Sequence, residues 1–277
     1  MKKYCQSCGV DVLQSIVICP RCGGREYRNH SPAFNVNATS GNNPKDDKHN
    51  SPQNIQSVNQ QLLSVYKSLY RIALLSSISN WALVFSLLGS AISNLFFLKL
   101  FPTSVNSWSE SLAAQIELIQ NIFNFFTNTS VVLMLIAFFF NSIWIYTSAK
   151  TIQAHTTEQL KSSPGWSVGW FFVPIAQLWK PYQAIKSISN VSMKLAGNTE
   201  KVIPSLIFPI WWILYLLTIL LDRLYMKTFF GSADSIDDLL LAMKVSLAGT
   251  IIFIVATILF NKIMRDIHLK QMKVAWI

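Results

Sequence analysis

The sequence predicts an all-α integral membrane protein, with four transmembrane helices and one shorter Trp/Pro segment behind a small cysteine-bearing head. Three observations predict this. Only 13% of the 277 residues are charged and 51% are hydrophobic, whereas a soluble domain carries about 25% charged residues. The deficit is uneven: residues 1–71 are polar, and long uncharged runs fill almost everything after Ile72. All four cysteines lie within residues 5–22, leaving none to staple a loop outside the cell. A soluble head on a membrane body follows, in place of a single globular core. Lys2 and Lys3 lead into a polar, cysteine-rich stretch and not an apolar one, so no cleavable signal peptide is expected.

The head comes first. Cys5 and Cys8, followed by Gly9, and Cys19 and Cys22, followed by Gly23, form two Cys-x-x-Cys knuckles separated by ten residues. A two-residue spacer lets both thiolates reach one tetrahedral ion, and the glycine permits a turn that aims amide N–H groups at the sulfurs. Two knuckles complete a four-cysteine set, a closed structural zinc site with no open position for a substrate water. The competing readings are a disulfide pair or a redox Cys-x-x-Cys. Redox pairs sit beside a βαβ pattern, and this sequence has none there. The expected architecture is a minimal zinc ribbon over residues 1–27, with one short hairpin at 10–18. Thiols persist in reducing compartments, which predicts a cytoplasmic N-terminus.

Residues 28–53 are rich in Asn, Ser, Pro and Lys and hold too little apolar surface to offset chain ordering, which predicts a disordered linker. The membrane domain is expected over 54–277. Its first part carries Ile55, Val58, Leu62, Val65, Leu69 and Ile72 at 3-4 spacing. This is an amphipathic helix running into the first span, expected to lie in the membrane interface with Lys67 and Arg71 near head groups.

Four stretches are long enough to cross a bilayer: 72–98, 122–148, 202–221 and 245–261, none containing Asp, Glu, Lys, Arg or His. A fifth apolar stretch, 166–179, has 14 residues with Gly169 and Pro174 inside it. At 1.5 Å per residue it reaches roughly 21 Å, too short to cross. Charge then sets the topology. With four spans, residues 1–71, 149–201 and 262–277 share one side and hold 19 of the 23 basic residues. The opposite loops hold 4 basic and 6 acidic residues. The positive-inside rule places the basic side and both termini in the cytoplasm. It also accounts for the net charge of +10 without nucleic acid.

The segment 164–182 is the most unusual in the chain. Trp166, Trp170 and Trp179 suit the membrane–water interface, while Pro164, Pro174 and Pro181 punctuate the backbone. A re-entrant or interfacial segment satisfies these features. Irregular backbone at membrane depth needs protein around it, so Gln177 and the backbone near Pro174 are expected to face the bundle. From Pro181 an amphipathic helix follows, with Tyr182, Ile185, Ile188 and Leu195 on one face.

Pro164-Gly165-Trp166, Val173-Pro174-Ile175-Ala176 and Leu178-Trp179-Lys180-Pro181-Tyr182 together resemble the hallmark of a bacterial membrane family, the domain of unknown function numbered 4328. The resemblance runs from about 72 to 272 and takes in Trp211 and Trp212 after Pro209, and Lys262, Arg265 and Gln271. It implies a helical membrane body, a small N-terminal module such as a zinc ribbon, and no established activity. One departure from the family pattern is the stretch from Tyr146 to Lys150, which carries a single charge where a basic cluster is expected.

For function, the modular layout predicts a non-enzymatic adaptor or sensor in the bacterial inner membrane. Its environment is the lipid bilayer, and its cytoplasmic ribbon would bind a protein partner. The alternative is a transporter or channel for a neutral or lipid-like substrate, with Asn80, Asn94, Asn141 and Gln177 offering either a polar path or interhelical hydrogen bonds. An intramembrane enzyme is not expected: no span offers paired carboxylates or a nucleophile beside a base. His155 and His268 read as surface or interfacial side chains. Asp222, Asp234, Asp237 and Asp238 read as solvated charge on an outer loop. Small residues four apart, Ser86 and Ser90 or Ala242, Ser246 and Thr250, permit close helix packing within one chain or between copies, which leaves a homo-oligomer open.

Overall fold

A computed structural model describes residues 2–5, 11–13, 27–29, 52–104, 110–156, 160–197, 206–231 and 236–275. In the head, β1 (Lys2–Cys5), β2 (Asp11–Leu13) and β3 (Tyr27–Asn29) form an antiparallel sheet in the order β2-β1-β3. Tyr4 is opposite Asp11, and Cys5 is opposite Tyr27. β2 lies within the 10–18 stretch where one short hairpin is expected and pairs with β1, while residues 14–18 lie outside the described residues. Cys8, Cys19, Cys22 and residues 30–51 lie outside the described residues.

The body is helical. Its elements are α1 (Pro52–Ser104), α2 (Glu110–His155), α3 (Pro164–Gly169), a 3-10 turn (Ala176–Leu178), α4 (Lys180–Leu195), α5 (Ile207–Gly231) and α6 (Ile236–Ala275). Four of these are long and apolar enough to cross a membrane: α1, α2, α5 and α6. α1, α2 and α6 run beyond both ends of the uncharged stretches that marked them, and α5 runs beyond the C-terminal end of its own. Helix ends follow local chemistry. Glu110 opens α2, and Asp237 and Asp238 open α6, favourable against the positive N-terminal end of a helix dipole. Pro209 sits in the first turn of α5, where the missing N–H costs nothing. Ser163 caps α3, its Oγ accepting from the Trp166 N–H at 3.4 Å. Gly197 takes φ +65° just past α4, and its N–H donates to the Lys194 carbonyl at 3.2 Å.

Side-chain contacts fix the helix directions. Ser86 Oγ donates to the Phe126 carbonyl (3.0 Å), Ser90 pairs with Thr127 (3.1 Å), and Asn80 pairs with Asn141, so α1 and α2 are antiparallel. Asn80 meets Asn261 and Asn94 meets Met243, so α1 and α6 are antiparallel too. Trp211 stacks on Phe260 (5.1 Å), and Gly249 lies against Leu221, which runs α5 antiparallel to α6. The spatial order is α2, α1, α6, α5. Each of these packs on the next, whereas α2 and α5 make no comparable packing contact among the described residues.

The lipid-exposed surface of this bundle is apolar: Phe85, Leu135, Phe139, Ile213 and Leu220 are all exposed. The main core gathers at the end nearest α4, where Leu69, Trp144, Ile152, Ile185, Ile188, Phe260, Ile263 and Ile267 are buried together. A smaller cluster of Leu83, Val84, Leu87, Ala137 and Ile254 lies farther along.

Burial and hydrogen bonds set the helix faces. At the start of α1 the inward residues are Tyr66, Leu69 and Ala73, with Val65 exposed. Over residues 65–73 α1 packs on the core and Lys67 and Arg71 point outward, while the side chains of 55–64 lie outside the described residues. The small residues Ser86 and Ser90 are used within the chain, against α2. The amphipathic reading of α4 holds: Ile185, Ile188 and Leu195 are buried and Tyr182 packs beside them.

Candidate functional site

Asn80, Asn141 and Asn261 come from α1, α2 and α6 and meet inside the bundle. Asn80 and Asn141 bond reciprocally: Asn141 Nδ2 donates to Asn80 Oδ1 at 3.0 Å, and Asn80 Nδ2 donates to Asn141 Oδ1 at 3.1 Å. Asn80 Nδ2 also donates to Asn261 Oδ1 at 3.0 Å. Ser76 Oγ donates to Asn141 Oδ1 and lies 3.1 Å from Met264 Sδ. The amides thus tie three helices together, as the hydrogen-bond reading of Asn80 and Asn141 expected. Asn94 does the same farther along, through Nδ2 to the Met243 carbonyl at 3.2 Å. Asn261 Nδ2 is buried without a partner among the described residues.

Beside this cluster is a cavity of about 260 Å³, whose lining includes Asn80, Asn141, Ser142, Phe171, Trp211 and Tyr215. It fills the space where α2 and α5 fail to pack. Leu135 and Phe138 form its wall on α2 and are themselves exposed, so the cavity opens sideways between the two helices. Among the described residues, no Asp, Glu, Lys, Arg or His lines it. Two of its hydroxyls, Ser142 Oγ and Tyr215 Oη, have no hydrogen-bond partner among the described residues.

The Trp/Pro segment closes one side. Phe171 stands between α2 and α5, edge-on to Phe138 (6.3 Å, 77°) and to Trp212 (6.0 Å, 83°). Trp212 Nε1 donates to the Leu178 carbonyl at 2.7 Å, holding the segment to α5. The Trp166 and Trp170 rings meet at 4.5 Å, tilted by 32°, Lys180 Nζ lies 5.3 Å from the Trp170 ring, and Trp170 Nε1 donates to Ser162 Oγ at 3.1 Å. Pro164 and Pro181 begin the helices on either side, Pro181 being buried. Gly165 has open space around it, and Tyr182 Oη accepts from Lys186 Nζ at 2.8 Å.

The expectation that the backbone near Pro174 faces the bundle is not met, whereas Gln177 is half-buried. Pro174 is exposed, and Phe172 and Ile175 are 67% and 73% exposed. The reason is local. The Gln177 N–H donates to the Val173 carbonyl (2.7 Å), Leu178 N–H to Ile175, and Trp179 N–H to Ala176. These tight turns satisfy the backbone without help from the bundle, so the apolar side chains, Trp179 among them, are free to point outward.

At the end of the bundle beyond this segment lies a polar node that the sequence did not announce. Gln271 Nε2 donates to Ser148 Oγ (2.7 Å) and to Ser192 Oγ (3.2 Å), joining α6, α2 and α4. Asp266 and Lys270 form a buried ion pair one turn apart on α6. His268, expected at the surface, is buried with its ring 5.8 Å from that of Tyr70. Asp222 lies beside Gly249, and Asp234 is outside the described residues.

Fold and site together define a polytopic helical membrane protein, with four spanning-length helices around an uncharged cavity that opens sideways. Residues 110–268, more than half of the chain, match the family described as Domain of unknown function (DUF4328), and the chain belongs to that family. The match begins at the first residue of α2, so α1 and the head lie outside it and the matched region is narrower than 72–272. No curated protein and no solved structure matches the chain.

Proposed function

We propose that the protein is a non-enzymatic adaptor or sensor of the bacterial cytoplasmic membrane. Its N-terminal zinc ribbon binds a cytoplasmic protein partner, and both ends of the membrane body face the cytoplasm. The observation that carries this reading is the strand pairing of the head. Asp11 of β2 and Tyr27 of β3 both lie at the Cys5 end of β1, within one small antiparallel sheet. The two Cys-x-x-Cys pairs of the sequence, the first beginning at Cys5 on β1, supply the four thiolates that a shared tetrahedral ion requires. A site with four thiolate ligands is closed to substrate, which suits a binding module. The concentration of basic residues in 1–71, 149–201 and 262–277 supports the cytoplasmic placement.

Within the membrane body the segment 164–182 is a re-entrant wedge in this reading. Phe138, which Phe171 and Phe172 touch, lies ten residues before Ser148 on α2. At 1.5 Å per residue that is about 15 Å along the helix from the end of the uncharged run.

The test compares the native chain with Cys5→Ser/Cys8→Ser by in-membrane crosslinking and co-purification. A partner held by the native head and lost from the variant supports the adaptor reading. The same partners in both, or none in either, refute it and leave transport or handling of a neutral, lipid-like substrate, which the cavity favours.

A further inference from the structure

We infer that the cavity between α2 and α5 binds the head of a neutral lipid, one whose uncharged hydroxyl or carbonyl oxygens sit on long apolar chains. Three observations carry this. First, the opening is lateral, past exposed Leu135 and Phe138, so an entering molecule comes from the bilayer. Second, the lining has no ionised side chain among the described residues. A phosphate or ammonium head would lose its hydration there with nothing to offset the loss, whereas an uncharged head would not. Third, Ser142 Oγ and Tyr215 Oη belong to the lining and have no intramolecular partner among the described residues. In hydrocarbon a hydroxyl in that state is costly, and an oxygen-bearing head satisfies it.

The volume of about 260 Å³ is too small for a whole lipid. The head and first carbons lie inside, and the chains trail out between α2 and α5 into the bilayer. The aromatic rings of Phe138, Phe171 and Trp211 wall the head, and the Asn80–Asn141 pair sets the polar end of the cavity. Phe171 belongs to the segment 164–182, so this motif forms part of the binding wall. The inference does not depend on zinc or on a partner of the head.

The experiment is native mass spectrometry of the full chain, with dioleoylglycerol added in parallel with dioleoylphosphatidylglycerol, whose chains are identical and whose head is charged. The native chain should retain dioleoylglycerol, and not the phospholipid, after collisional release of detergent. Tyr215→Phe removes one hydrogen bond and should weaken retention roughly fivefold. Ser142→Leu fills the cavity from α2 and should weaken retention roughly tenfold or more. Because Ser142→Leu also alters packing, Tyr215→Phe serves as the conservative variant, checked for a native-like near-UV spectrum. The Cys5→Ser/Cys8→Ser chain should retain the lipid as the native chain does, so failure of the adaptor reading and failure of this one are distinguishable. Equal retention of both lipids, unchanged retention in both cavity variants, or no retention by the native chain would each overturn the inference.

Discussion

Replacing Gly89 with alanine tests how closely α1 and α2 are held. A methyl group at that position would lie 2.5 Å from Phe126 Cδ1 and Cε1 and 2.7 Å from Cγ. Carbon atoms are at their optimum separation at about 3.5–4.0 Å, so the two helices must part by roughly 1 Å. The ring cannot simply swing away, because one of the atoms met is Cγ, at its root. Parting the helices also stretches the bond from Ser86 Oγ to the Phe126 carbonyl (3.0 Å) and the Ser90–Thr127 pair (3.1 Å). Overpacking costs about 1–3 kcal/mol, and each interhelical hydrogen bond is worth about 0.6 kcal/mol in a membrane. The expected loss is therefore about 2–4 kcal/mol. The assay is reversible unfolding of the purified chain in mixed micelles, followed by tryptophan fluorescence, for Gly89→Ala, Phe126→Ala and the double variant. In the double variant the added methyl occupies space the ring has left, so its loss should fall short of the sum of the single losses by about 1 kcal/mol or more. A neutral Gly89→Ala, or strict additivity, would refute the close approach.

Three other outcomes are expected. Asn141→Leu removes the acceptor for Ser76 and Asn80 and the donor to Asn80 Oδ1. At about 0.6 kcal/mol per bond it should cost about 2 kcal/mol in the same assay, more than Asn261→Leu, which breaks one bond and removes an unpartnered amide; the reverse order would count against the cluster. Gln271→Leu unties α4 from α2 and α6, so amide exchange should quicken across 181–195 while the spanning helices stay protected; unchanged exchange would show that apolar packing alone holds α4. Cys8→Ser should abolish bound zinc, measured by elemental analysis of the purified chain, yet leave the membrane body inserted; full zinc retention would remove the ribbon from the account.

The four spanning helices were legible because uncharged runs of that length have one economical solution in a bilayer. Their ends were not, because charge marks the membrane surface and not the end of a helix. The fourth stretch was bounded at 245–261 by Lys244 and Lys262, but α6 runs from Ile236 to Ala275, its backbone bonds continuing past the surface. That same boundary hid Asn261 from the cluster that Asn80 and Asn141 announced, since an asparagine next to a lysine reads as a span ending. Gln271, Ser148 and Ser192 were hidden for a related reason: each lies at or beyond an uncharged run, where a polar residue reads as solvated. The Trp/Pro motif was legible as a unit, but which of its residues point inward was not. Proline and glycine spacing marks turns, yet the orientation of a turn depends on which amides close within it, and here those around Pro174 do.

The position of the cavity follows from how differently the two halves of the bundle are closed. In the half containing Gly89, small side chains bring α1 and α2 together until a ring lies over bare backbone, and serine and threonine hydroxyls bond across the seam. In the half nearer α4, the residues of α2 and α5 that line the cavity include the large aromatics Phe138, Trp211 and Tyr215. The chain fills that gap with a third element, the ring of Phe171, which meets both sides edge-on. A ring wedged between two helices leaves irregular volume around it, whereas a helix packed on a helix does not. The cavity is that volume, and the asparagine cluster stands at its edge because the amides hold α1, α2 and α6 together at the depth where α5 rests on α6, with Trp211 stacked on Phe260.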